Sequence, residues 1–498
     1  MKFKSFLAKP FASYIYRSIR KEMSSAVEDQ ENILKNLLKT GSKTVFGREQ
    51  HLEAVKTYEE FKAAVPLRDY EQFKPYIDQI MQGKHNVLWK GQPIYFAKTS
   101  GTTSGIKYIP ISKESISNHI NTARNTLLCY MAETGNSAFA NGKMIFLSGS
   151  PELERIAGIP TGRLSGIVNH HIPHYLQTNQ LPSYETNCIE EWETKLDKIV
   201  EETIRQDMTL ISGIPPWMQM YFDRLMAVSG KQIKDLFPNF SVLVHGGVNF
   251  EPYKDRLLDS IGKQVDTIET YPASEGFFAF QDSRQEEGLL LNCNSGIFFE
   301  FVPAAEIFKE NPLRVSLKDV QTGVNYALIV NNNAGLWGYN IGDTVRFVST
   351  SPYRIVVTGR IKHYISAFGE HVIGEEVEYS LMKAAKEEGV QINEFTVAPF
   401  IMRQGEGKSF HEWFVEFEQP PADMHAFARK VDSNLRAKNI YYDDLISGNI
   451  LQPLQIHPVK KNGFIDYMKS IGKLGGQNKV PHLSNDRSFA EELEKYSD

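Results

Sequence analysis

Short β-type runs that alternate with helical stretches constrain the fold of this chain more than any other feature. Apolar runs rich in β-branched or aromatic residues occur at residues 93–97, 143–147, 241–245 and 265–269. Stretches with helical spacing of apolar residues occur between them, at residues 190–203 and 217–226. Because strands interleaved with helices form βαβ units, we predict an α/β core whose sheets are substantially parallel.

The strands come closer together between about residues 287 and 360. β-Type runs separated by Gly, Asn and Pro turns occur there at residues 297–302, 326–330, 344–348 and 354–358. This spacing is typical of an antiparallel subdomain, and we predict a small β-barrel-like unit that closes the large domain.

A self-contained α+β pattern follows, beginning with a helix predicted at residues 375–388. We therefore predict a large N-terminal domain over residues 1–359, with helix-flanked sheets, and a small α+β domain over residues 360–498. The length of 498 residues agrees with this division, because a chain of that size holds roughly two to three cores.

The charge of the chain is nearly balanced, with 55 basic and 60 acidic side chains and a formal net charge of −5. Such a balance supplies no global field that gathers nucleic acid, so no nucleic-acid partner is predicted.

Cys129, Cys188 and Cys293 are far apart and lack Cys-x-x-Cys spacing. We therefore expect neither a disulfide framework nor a zinc ribbon, and we predict a reducing cytoplasm as the location.

The first twenty residues mix basic and apolar side chains in the manner of a targeting leader. Pro10 interrupts the apolar stretch and no small-residue cleavage site follows it, so a secretory signal is not predicted. The segment either packs its apolar stripe against the protein's own core or lies as a basic helix on a membrane surface, and packing is the expected outcome. No stretch elsewhere has the roughly eighteen apolar residues that span a bilayer, so no transmembrane segment is predicted.

The most informative segment runs from Tyr95 to Pro110 and contains the sequence Thr-Ser-Gly-Thr-Thr-Ser-Gly between two β-type runs. Its glycines let the backbone approach an anion, and its hydroxyl groups donate to phosphate oxygens. The spacing matches neither the Walker loop nor the dinucleotide fingerprint, and an ordinary surface turn is the alternative for this loop alone. The predicted phosphate-cradling residues are Thr99, Ser100, Gly101, Thr102, Thr103, Ser104 and Gly105.

A second motif places an aromatic ring, a hydroxyl and a carboxylate after a β-type run, at Tyr271, Ser274 and Glu275. Ligands of α/β proteins bind at such strand ends. We expect Tyr271 to stack on a base, Ser274 to contact a phosphate and Glu275 to hold a magnesium ion that partly neutralises a triphosphate. The alternative for each residue is a purely structural role.

A third motif places Gly342 directly before Asp343, between two β-type runs. The glycine frees the backbone, and a carboxylate held there is suited to accept both hydroxyls of a ribose. The alternative is an ordinary turn aspartate.

In this order and at this separation, the three motifs resemble those of the adenylate-forming enzyme superfamily. More narrowly, the chain resembles the Gretchen Hagen (auxin-responsive promoter) family of acyl-acid amido synthetases. The positions that match the second and third family motifs are Tyr271, Ser274, Glu275, Phe277, Phe278, Tyr339, Gly342 and Asp343. A fourth match, residues 462–481, looks like the family's closing segment and contains Lys479. The resemblance spans residues 30–482.

The resemblance implies ATP-dependent activation of a small carboxylic acid to an acyl-adenylate, with release of pyrophosphate. Attack by the amine of an amino acid then gives an amide. ATP and Mg²⁺ are the implied cofactors, with the 99–105 loop on the phosphates, Tyr271 on the adenine, Glu275 on Mg²⁺ and Asp343 on the ribose. Positive charge from Mg²⁺, lysine and backbone donors would stabilise the phosphate charge that develops.

The resemblance also implies that Lys479 is a catalytic lysine delivered by the small C-terminal domain. In this superfamily that domain swings between half-reactions about a hinge, which here is expected near residues 358–364. The alternative for Lys479 is a solvated surface lysine. Gly246 and Gly247 lie where the superfamily has a glycine-rich loop at the adenine edge.

Two features depart from a simple match. The first loop reaches Pro110 one residue sooner than the plant-family pattern, and Lys107 has the spacing of the wider superfamily. Three histidines within residues 169–174 suggest a metal site, but Pro173 interrupts a helical His-x-x-x-His face. Histidines of a loop or of the substrate pocket are therefore expected.

Two other functions remain open from the sequence. One is a thioester ligase with the same first half-reaction and coenzyme A as acceptor, although no basic cradle for its adenosine diphosphate is evident. The other is a non-catalytic ATP-binding or scaffolding relative, which has little reason to keep Glu275, Asp343 and Lys479 together. The identity of the acid and of the amine is not predicted.

Overall fold

The computed structural model describes residues 2–100, 106–172, 178–361, 364–365, 372–401, 409–447, 450–475, 479–484 and 487–497. These residues group into two compact units. The first unit contains residues 1–248, 260–341 and 345–357, and the second contains residues 249–259, 342–344 and 358–498. Two short segments that precede residue 359 therefore group with the second unit, and the predicted domain boundary stays a prediction.

Helices of the N-terminal half begin at capping residues or follow an amphipathic pattern. In α5, for example, Asp69 and Gln72 form a capping box that satisfies free backbone N–H groups. The helices are α1 (Lys2–Glu22), α2 (Ala26–Gly41), α3 (Val45–Glu49), α4 (Tyr58–Ala64), α5 (Tyr70–Met81), α6 (Ile116–Thr134), α7 (Leu164–Asn169), α8 (Tyr184–Asn187), α9 (Trp192–Thr203), α10 (Pro215–Ser229), α11 (Ile233–Leu236) and α12 (Glu251–Ile261).

The strands of the same region include all those predicted from β-type runs. They are β1 (Tyr95–Ser100), β2 (Ile106–Ile111), β3 (Lys143–Phe146), β4 (Glu154–Ile156), β5 (Ile159–Arg163), β6 (Gln180–Leu181), β7 (Met208–Gly213), β8 (Val242–Gly246), β9 (Asp266–Ala273), β10 (Gly276–Phe280), β11 (Leu289–Leu291), β12 (Ile297–Pro303), β13 (Val315–Ser316), β14 (Asn325–Asn332), β15 (Tyr339–Thr350) and β16 (Tyr353–Arg360).

These strands form two sheets. The smaller has the order β2-β1-β5-β4, and the larger has the order β13-β12-β14-β15-β16-β11-β10-β9-β8-β7-β3-β6. Strands β6, β3, β7, β8 and β9 run parallel, whereas β9, β10, β11 and β16 pair antiparallel. The predicted parallel core and the predicted antiparallel region are thus confirmed, and the structure adds that both belong to one sheet. The carboxyl ends of β3, β7, β8 and β9 share one edge, where α/β proteins bind ligands.

The apolar stripe of the N-terminal segment packs within the first unit. Helix α1 contacts α6, and Ala12 and Ile19 are buried. Of the alternatives drawn from the sequence, packing against the protein's own core is therefore the one observed. Among the helices described, none has the length and apolar character required to cross a membrane.

The second unit has the predicted α+β pattern. Its further helices are α13 (Gly374–Glu388), α14 (Met424–Lys438), α15 (Ile440–Ser447), α16 (Gly463–Ser470) and α17 (Ser488–Leu493). Its strands are β17 (Tyr364–Ile365), β18 (Val372–Ile373), β19 (Ile392–Phe400), β20 (Phe410–Phe417) and β21 (Gln455–Val459), of which the last three form a sheet in that order. The open edge of β19 is extended by the chain segment 481–484, because Val397 N donates to His482 O at 3.1 Å and Ser484 N donates to Val397 O at 3.0 Å.

Candidate functional site

The predicted phosphate loop is framed by two paired strands. Strands β1 and β2 are antiparallel, with Thr99 opposite Lys107 and Ser100 opposite Ile106. The predicted strand-loop-strand arrangement is therefore present. The other five residues of the predicted loop lie outside the described residues: Gly101, Thr102, Thr103, Ser104 and Gly105. Lys107 has its ammonium nitrogen 5.6 Å from the centre of the Tyr70 ring.

Gly246 and Gly247 form the turn at the carboxyl end of β8. Strand β8 is parallel to β9, and Gly246 stands opposite Thr270. A Cβ atom at Gly246 would overlap the carbonyl oxygen of Thr270, so only glycine fits this close approach. Gly247 has a φ of +82°, in the left-handed region that favours glycine. The register sets this turn beside Tyr271, which follows Thr270 in β9.

Ser274 and Glu275 form the tight turn between β9 and β10, because Ala273 and Gly276 on either side of them are paired. The main-chain oxygen of Glu275 accepts a hydrogen bond of 2.8 Å from Nδ2 of the buried Asn332. Ser274 is buried and Glu275 is half-buried. The turn is thus held in place by the end of β14, and Glu275 stays partly exposed.

Tyr271 lies deeper than a residue that stacks on a ligand usually does. It is 7% exposed, and its ring meets the ring of Phe278 edge-on at a centroid distance of 5.2 Å. The first unit therefore brings Gly246, Gly247, Tyr271, Ser274 and Glu275 to neighbouring positions at one edge of the sheet. The individual ligand contacts of these residues stay predictions.

In the second unit, Asp343 is held by an arginine. Gly342 has a φ of +87°, and its carbonyl oxygen accepts a hydrogen bond of 2.7 Å from Ile361 N. Arg360 Nε donates to Oδ1 of Asp343 at 2.7 Å. The Asp343 side chain is 16% exposed. The glycine thus bends the backbone as predicted, and the arginine orients the carboxylate that follows it.

The charges of Arg360 and Asp343 also act on Lys479. The pKa of Lys479 is lowered to about 8, first because protein atoms crowd its ammonium and second because Arg360 repels it, while Asp343 opposes the shift. Lys479 is exposed at the surface of the second unit. Asp343 and Lys479, which are far apart in the sequence, therefore lie close enough within the second unit to interact electrostatically.

Arg360 is a site residue that the sequence reasoning missed, since it was noted only as part of the expected hinge. The signal that could have found Arg360 is the short spacing between two β-type runs of the sequence, at residues 344–348 and 354–358. Strand β15 ends at Thr350 and β16 begins at Tyr353, so a tight hairpin between them sets residue 360 opposite residue 343. The hydrogen bond between Ile361 N and Gly342 O agrees with that register.

The histidines at residues 169–174 bond to protein groups where they are described. Nε2 of His170 lies 2.8 Å from the carbonyl oxygen of Pro151, and Nε2 of His171 lies 3.1 Å from the hydroxyl oxygen of Tyr95. Burial lowers the pKa of His171. Pro173 and His174 lie outside the described residues. In the part of the chain that the structure describes, no group of three or more His, Cys, Asp or Glu side chains is arranged to hold a metal ion.

Family comparisons match three consecutive parts of the chain. The GH3 family N-terminal domain matches residues 15–187, the GH3 family central domain matches residues 290–360 and the GH3 family C-terminal domain matches residues 375–488. Together these matches cover well over half of the sequence.

Named relatives agree with these matches. Indole-3-acetic acid-amido synthetase GH3.3 of Arabidopsis thaliana is 22% identical, over 91% of this chain and 88% of that protein. Jasmonoyl-L-amino acid synthetase JAR4 of Nicotiana attenuata is also 22% identical, over 64% of this chain and 66% of that protein.

Solved structures share the fold. The GH3.15 acyl acid amido synthetase superposes with a TM-score of 0.79 at 16% identity, covering 97% of this chain and 96% of that chain. A 2-hydroxyisobutyryl-CoA ligase in complex with an adenylate superposes with a TM-score of 0.58 at 11% identity, covering 95% and 92%. The predicted fold class is therefore confirmed over nearly the whole chain.

Proposed function

This chain belongs to the GH3 family, and from that premise we propose that it is an ATP-dependent acyl-acid amido synthetase. The observation that carries the proposal is the cluster of Asp343, Arg360 and Lys479 in the second unit, which joins the third and fourth motifs of the sequence. A binding module has no need of a lysine with a lowered pKa beside that carboxylate. The two named relatives are amido synthetases, which favours an amide over a thioester product.

The reaction has two balanced steps. In the first, a carboxylate oxygen of the acid attacks the α-phosphorus of ATP, a P–O bond forms, and the P–O bond to pyrophosphate breaks. In the second, the amine nitrogen attacks the acyl carbon, a C–N bond forms, the C–O bond to AMP breaks, and the nitrogen gives up a proton. Activation is needed because a carboxylate is a poor electrophile until its oxygen becomes part of a good leaving group.

The proposed roles of the residues follow the motifs. The loop 99–105 cradles the phosphates, Ser274 contacts one of them, and Gly246, Gly247 and Tyr271 border the adenine. Asp343 accepts the ribose hydroxyls, and Arg360 orients it. Lys479 supplies positive charge during the adenylation step. Support comes from the carboxyl end of β8, which carries Gly246, and from the turn between β9 and β10, which carries Ser274 and Glu275.

Magnesium fits the proposed site through Glu275. One carboxylate on a tight turn, together with phosphate oxygens of the substrate, is a donor set that Mg²⁺ accepts. When bound, the ion would neutralise charge on the phosphates. The hydrogen bond from Asn332 to the main chain of Glu275 would keep the carboxylate in place.

The sequence calls for a mobile small domain over residues 360–498 with a hinge near residues 358–364, and we retain both as part of the proposal. Gly359, with a φ of +142°, supplies backbone freedom there.

A cytoplasmic setting is proposed on the unpaired cysteines, since Cys129, Cys188 and Cys293 are all free.

The substrate class is a small carboxylic acid and the acceptor is an amino acid. Relatives are named for indole-3-acetic acid and for jasmonate, and GH3.15 has been solved in complex with 2,4-DB. The acid itself must be found by assay. ATP, Mg²⁺ and a library of carboxylic acids would be incubated with the chain while pyrophosphate is followed, with and without the twenty amino acids or coenzyme A.

We expect pyrophosphate release with some acids and a further increase with amino acids. Glu275→Ala and Asp343→Ala should each abolish detectable adenylation with the fold intact, whereas the exposed Glu287→Ala should behave as the unmodified chain. A response to coenzyme A alone would support a thioester ligase instead. Absence of pyrophosphate with every acid would support the scaffold alternative, and normal turnover of either alanine variant would show that the site is misplaced.

A further inference from the structure

Two neighbouring cations of the first unit belong to none of the motifs so far described. Lys195, on α9, is 2% exposed, and its ammonium donates to the carbonyl oxygens of Ser148 at 2.9 Å and Asn187 at 2.7 Å. The pKa of Lys195 is lowered to about 8 by burial and, second, by repulsion from Arg163. Burial also lowers the pKa of Arg163, and Glu190 only opposes that effect.

Polar atoms around this pair lack hydrogen-bond partners among the described residues. Asn187 is 1% exposed, and neither its side-chain nitrogen nor its side-chain oxygen has a partner. Nη1 of Arg163 is likewise buried without one. Because unpaired buried donors cost free energy, a place with several of them and excess positive charge is suited to an anionic ligand.

Chain topology sets Arg163 beside β1, the strand that leads into the predicted phosphate loop. Arg163 ends β5 and stands opposite Lys98 of the parallel strand β1, next to Thr99. Ser148 and Gly149 follow β3, which lies next to β7, with β8 one strand further on. A Cβ atom at Gly149 would lie 2.5 Å from Cδ of Arg163, so this glycine makes room for the arginine. Both cations therefore meet the loop that follows β3, at the carboxyl edge of the sheet.

We propose that Arg163 and Lys195 bind the α-carboxylate of the amino-acid acceptor. This inference rests on the proposed function. An amino acid brings a carboxylate that takes no part in either bond-making step, and this charge needs a partner when it leaves water. An arginine offers two parallel donors that match a carboxylate, and a lysine adds a second charge. The phosphates of ATP have a separate glycine- and hydroxyl-rich loop.

A carboxylate could also reach this pair from a second source, the far carboxylate of a dicarboxylic acid substrate. The two sources act in different half-reactions. If the pair binds a dicarboxylic acid, its removal would slow adenylation, which is measured as pyrophosphate exchange without an amino acid. If the pair binds the amino acid, its removal would slow only amide formation.

The test compares Arg163→Met with the unmodified chain, using the acid and the amino acid selected by the pyrophosphate screen. The second acceptor is the carboxamide of the same amino acid, which keeps the amine and lacks the negative charge. We expect KM for the amino acid to rise at least tenfold in the variant, with KM for the carboxamide and the rate of pyrophosphate exchange unchanged. Arg163→Lys should recover part of the loss, because it restores the charge without the paired donors.

Lys195→Met should show the same selective rise in KM. Because Lys195 also holds two carbonyl groups, Lys195→Arg and thermal unfolding of each variant guard against a folding defect. Matched controls are Lys198→Met, one turn further along α9 and exposed, and Arg155→Met, exposed on β4. Neither control should change KM for the amino acid.

Three results would overturn the inference: an equal loss for the amino acid and the carboxamide, a raised KM for ATP, or a defect confined to adenylation of dicarboxylic acids. Failure of the inference is distinct from failure of the proposed function. If the unmodified chain releases pyrophosphate and forms an amide, and Arg163→Met still prefers the amino acid over its carboxamide, only the carboxylate assignment is wrong.

Discussion

Lys195 in the first unit is buried and His482 in the second is 13% exposed, yet the surroundings of these two cation-forming side chains are opposite. Lys195 meets two carbonyl oxygens and the charge of Arg163. His482 lies between two carboxylates, with Nδ1 2.8 Å from Oε1 of Glu378 and Nε2 2.8 Å from Oε1 of Glu394. Burial disfavours the imidazolium, but the two glutamates outweigh burial and raise the pKa of His482 to about 10.

The comparison shows that burial acts in the same direction on both cations, while neighbouring carboxylates decide the net result. His482 is a completed ion-pair cluster, because the hydroxyl of Tyr253 also donates to Glu394 at 2.9 Å and the Phe395 ring stacks on the imidazole at 4.1 Å. Such a cluster holds the segment that carries Lys479 on the edge of β19. Lys195 and Arg163 have only partial compensation, from Glu190, which gives them capacity for an anionic ligand.

Removing the central cation of the completed cluster should have the largest effect on stability. His482→Ala leaves two carboxylates that are only 13% and 14% exposed without their partner and should lower the free energy of unfolding by about 3 kcal/mol. Urea unfolding monitored by fluorescence measures this. Adding Glu378→Gln and Glu394→Gln should recover part of the loss. The control is His457→Ala, whose pair with Glu412 is 40% exposed on the histidine side and should cost no more than about 1 kcal/mol.

Removing Lys195, which has no carboxylate partner like those of His482, should lower stability less. Lys195→Met leaves the carbonyl oxygens of Ser148 and Asn187 without a donor and should lower the free energy of unfolding by about 1–3 kcal/mol. The same urea experiment measures it, and the exposed Lys198→Met should stay within about 0.5 kcal/mol of the unmodified chain. A loss for Lys195→Met that equals that of His482→Ala would contradict the contrast between the two sites.

The two groups should also give stability opposite dependences on pH. His482 contributes stability that is complete below its unfolded pKa of 6.5 and is lost as pH rises towards 10. The charged form of Lys195 lowers the free energy of unfolding. This loss of stability is complete below pH 8 and disappears as pH rises towards the unfolded pKa of 10.5. Each slope is at most about 1.4 kcal/mol per pH unit.

Unfolding of the chain, His482→Gln and Lys195→Met between pH 6 and 10 separates these contributions, because Lys479 is common to all three and cancels in the differences. His482→Gln should lose less stability with rising pH than the unmodified chain, and Lys195→Met should lose more above pH 8. Parallel curves for all three proteins would refute this assignment of charges.

The smallest expected effect concerns Lys479, which has both an arginine and a carboxylate nearby. Arg360→Gln removes the repulsion and leaves Asp343, so the pKa of Lys479 should rise by about one unit or less. The pH dependence of Lys479 labelling by an amine-reactive reagent, read by peptide mass spectrometry, measures the shift. The exposed Arg429→Gln should leave the labelling curve where it is, and an unchanged curve for Arg360→Gln would remove Arg360 from the site.

Much of the architecture was predictable because it depends on local patterns. The strand predicted at 241–245 is β8, Val242–Gly246, and the helix predicted at 375–388 is α13, Gly374–Glu388. Periodic burial of apolar residues produces both signals. Ser274 and Glu275 were predicted at a strand end and lie in the hairpin turn between β9 and β10.

The neighbours of each site residue were less predictable, because they depend on pairing across the sheet. The sequence suggested a site at the three histidines of residues 169–174, whereas the histidine with the raised pKa among the described residues is His482, which has no histidine near it in the sequence. Arg163 and Lys195 carry no motif either. They were singled out because Lys195 is buried and because nearby polar side-chain atoms lack hydrogen-bond partners among the described residues. Both are properties of the folded chain.

By itself, the sequence determined the class of the fold, the order of the motifs and the residue types available for phosphate, ribose and magnesium chemistry, since those follow from spacing and side-chain chemistry. Only the tertiary structure decided which charges are compensated. The electrostatic free energy of an ionised group depends on its distance to other charges and on its removal from water, and both are set by packing between residues that lie far apart in the chain.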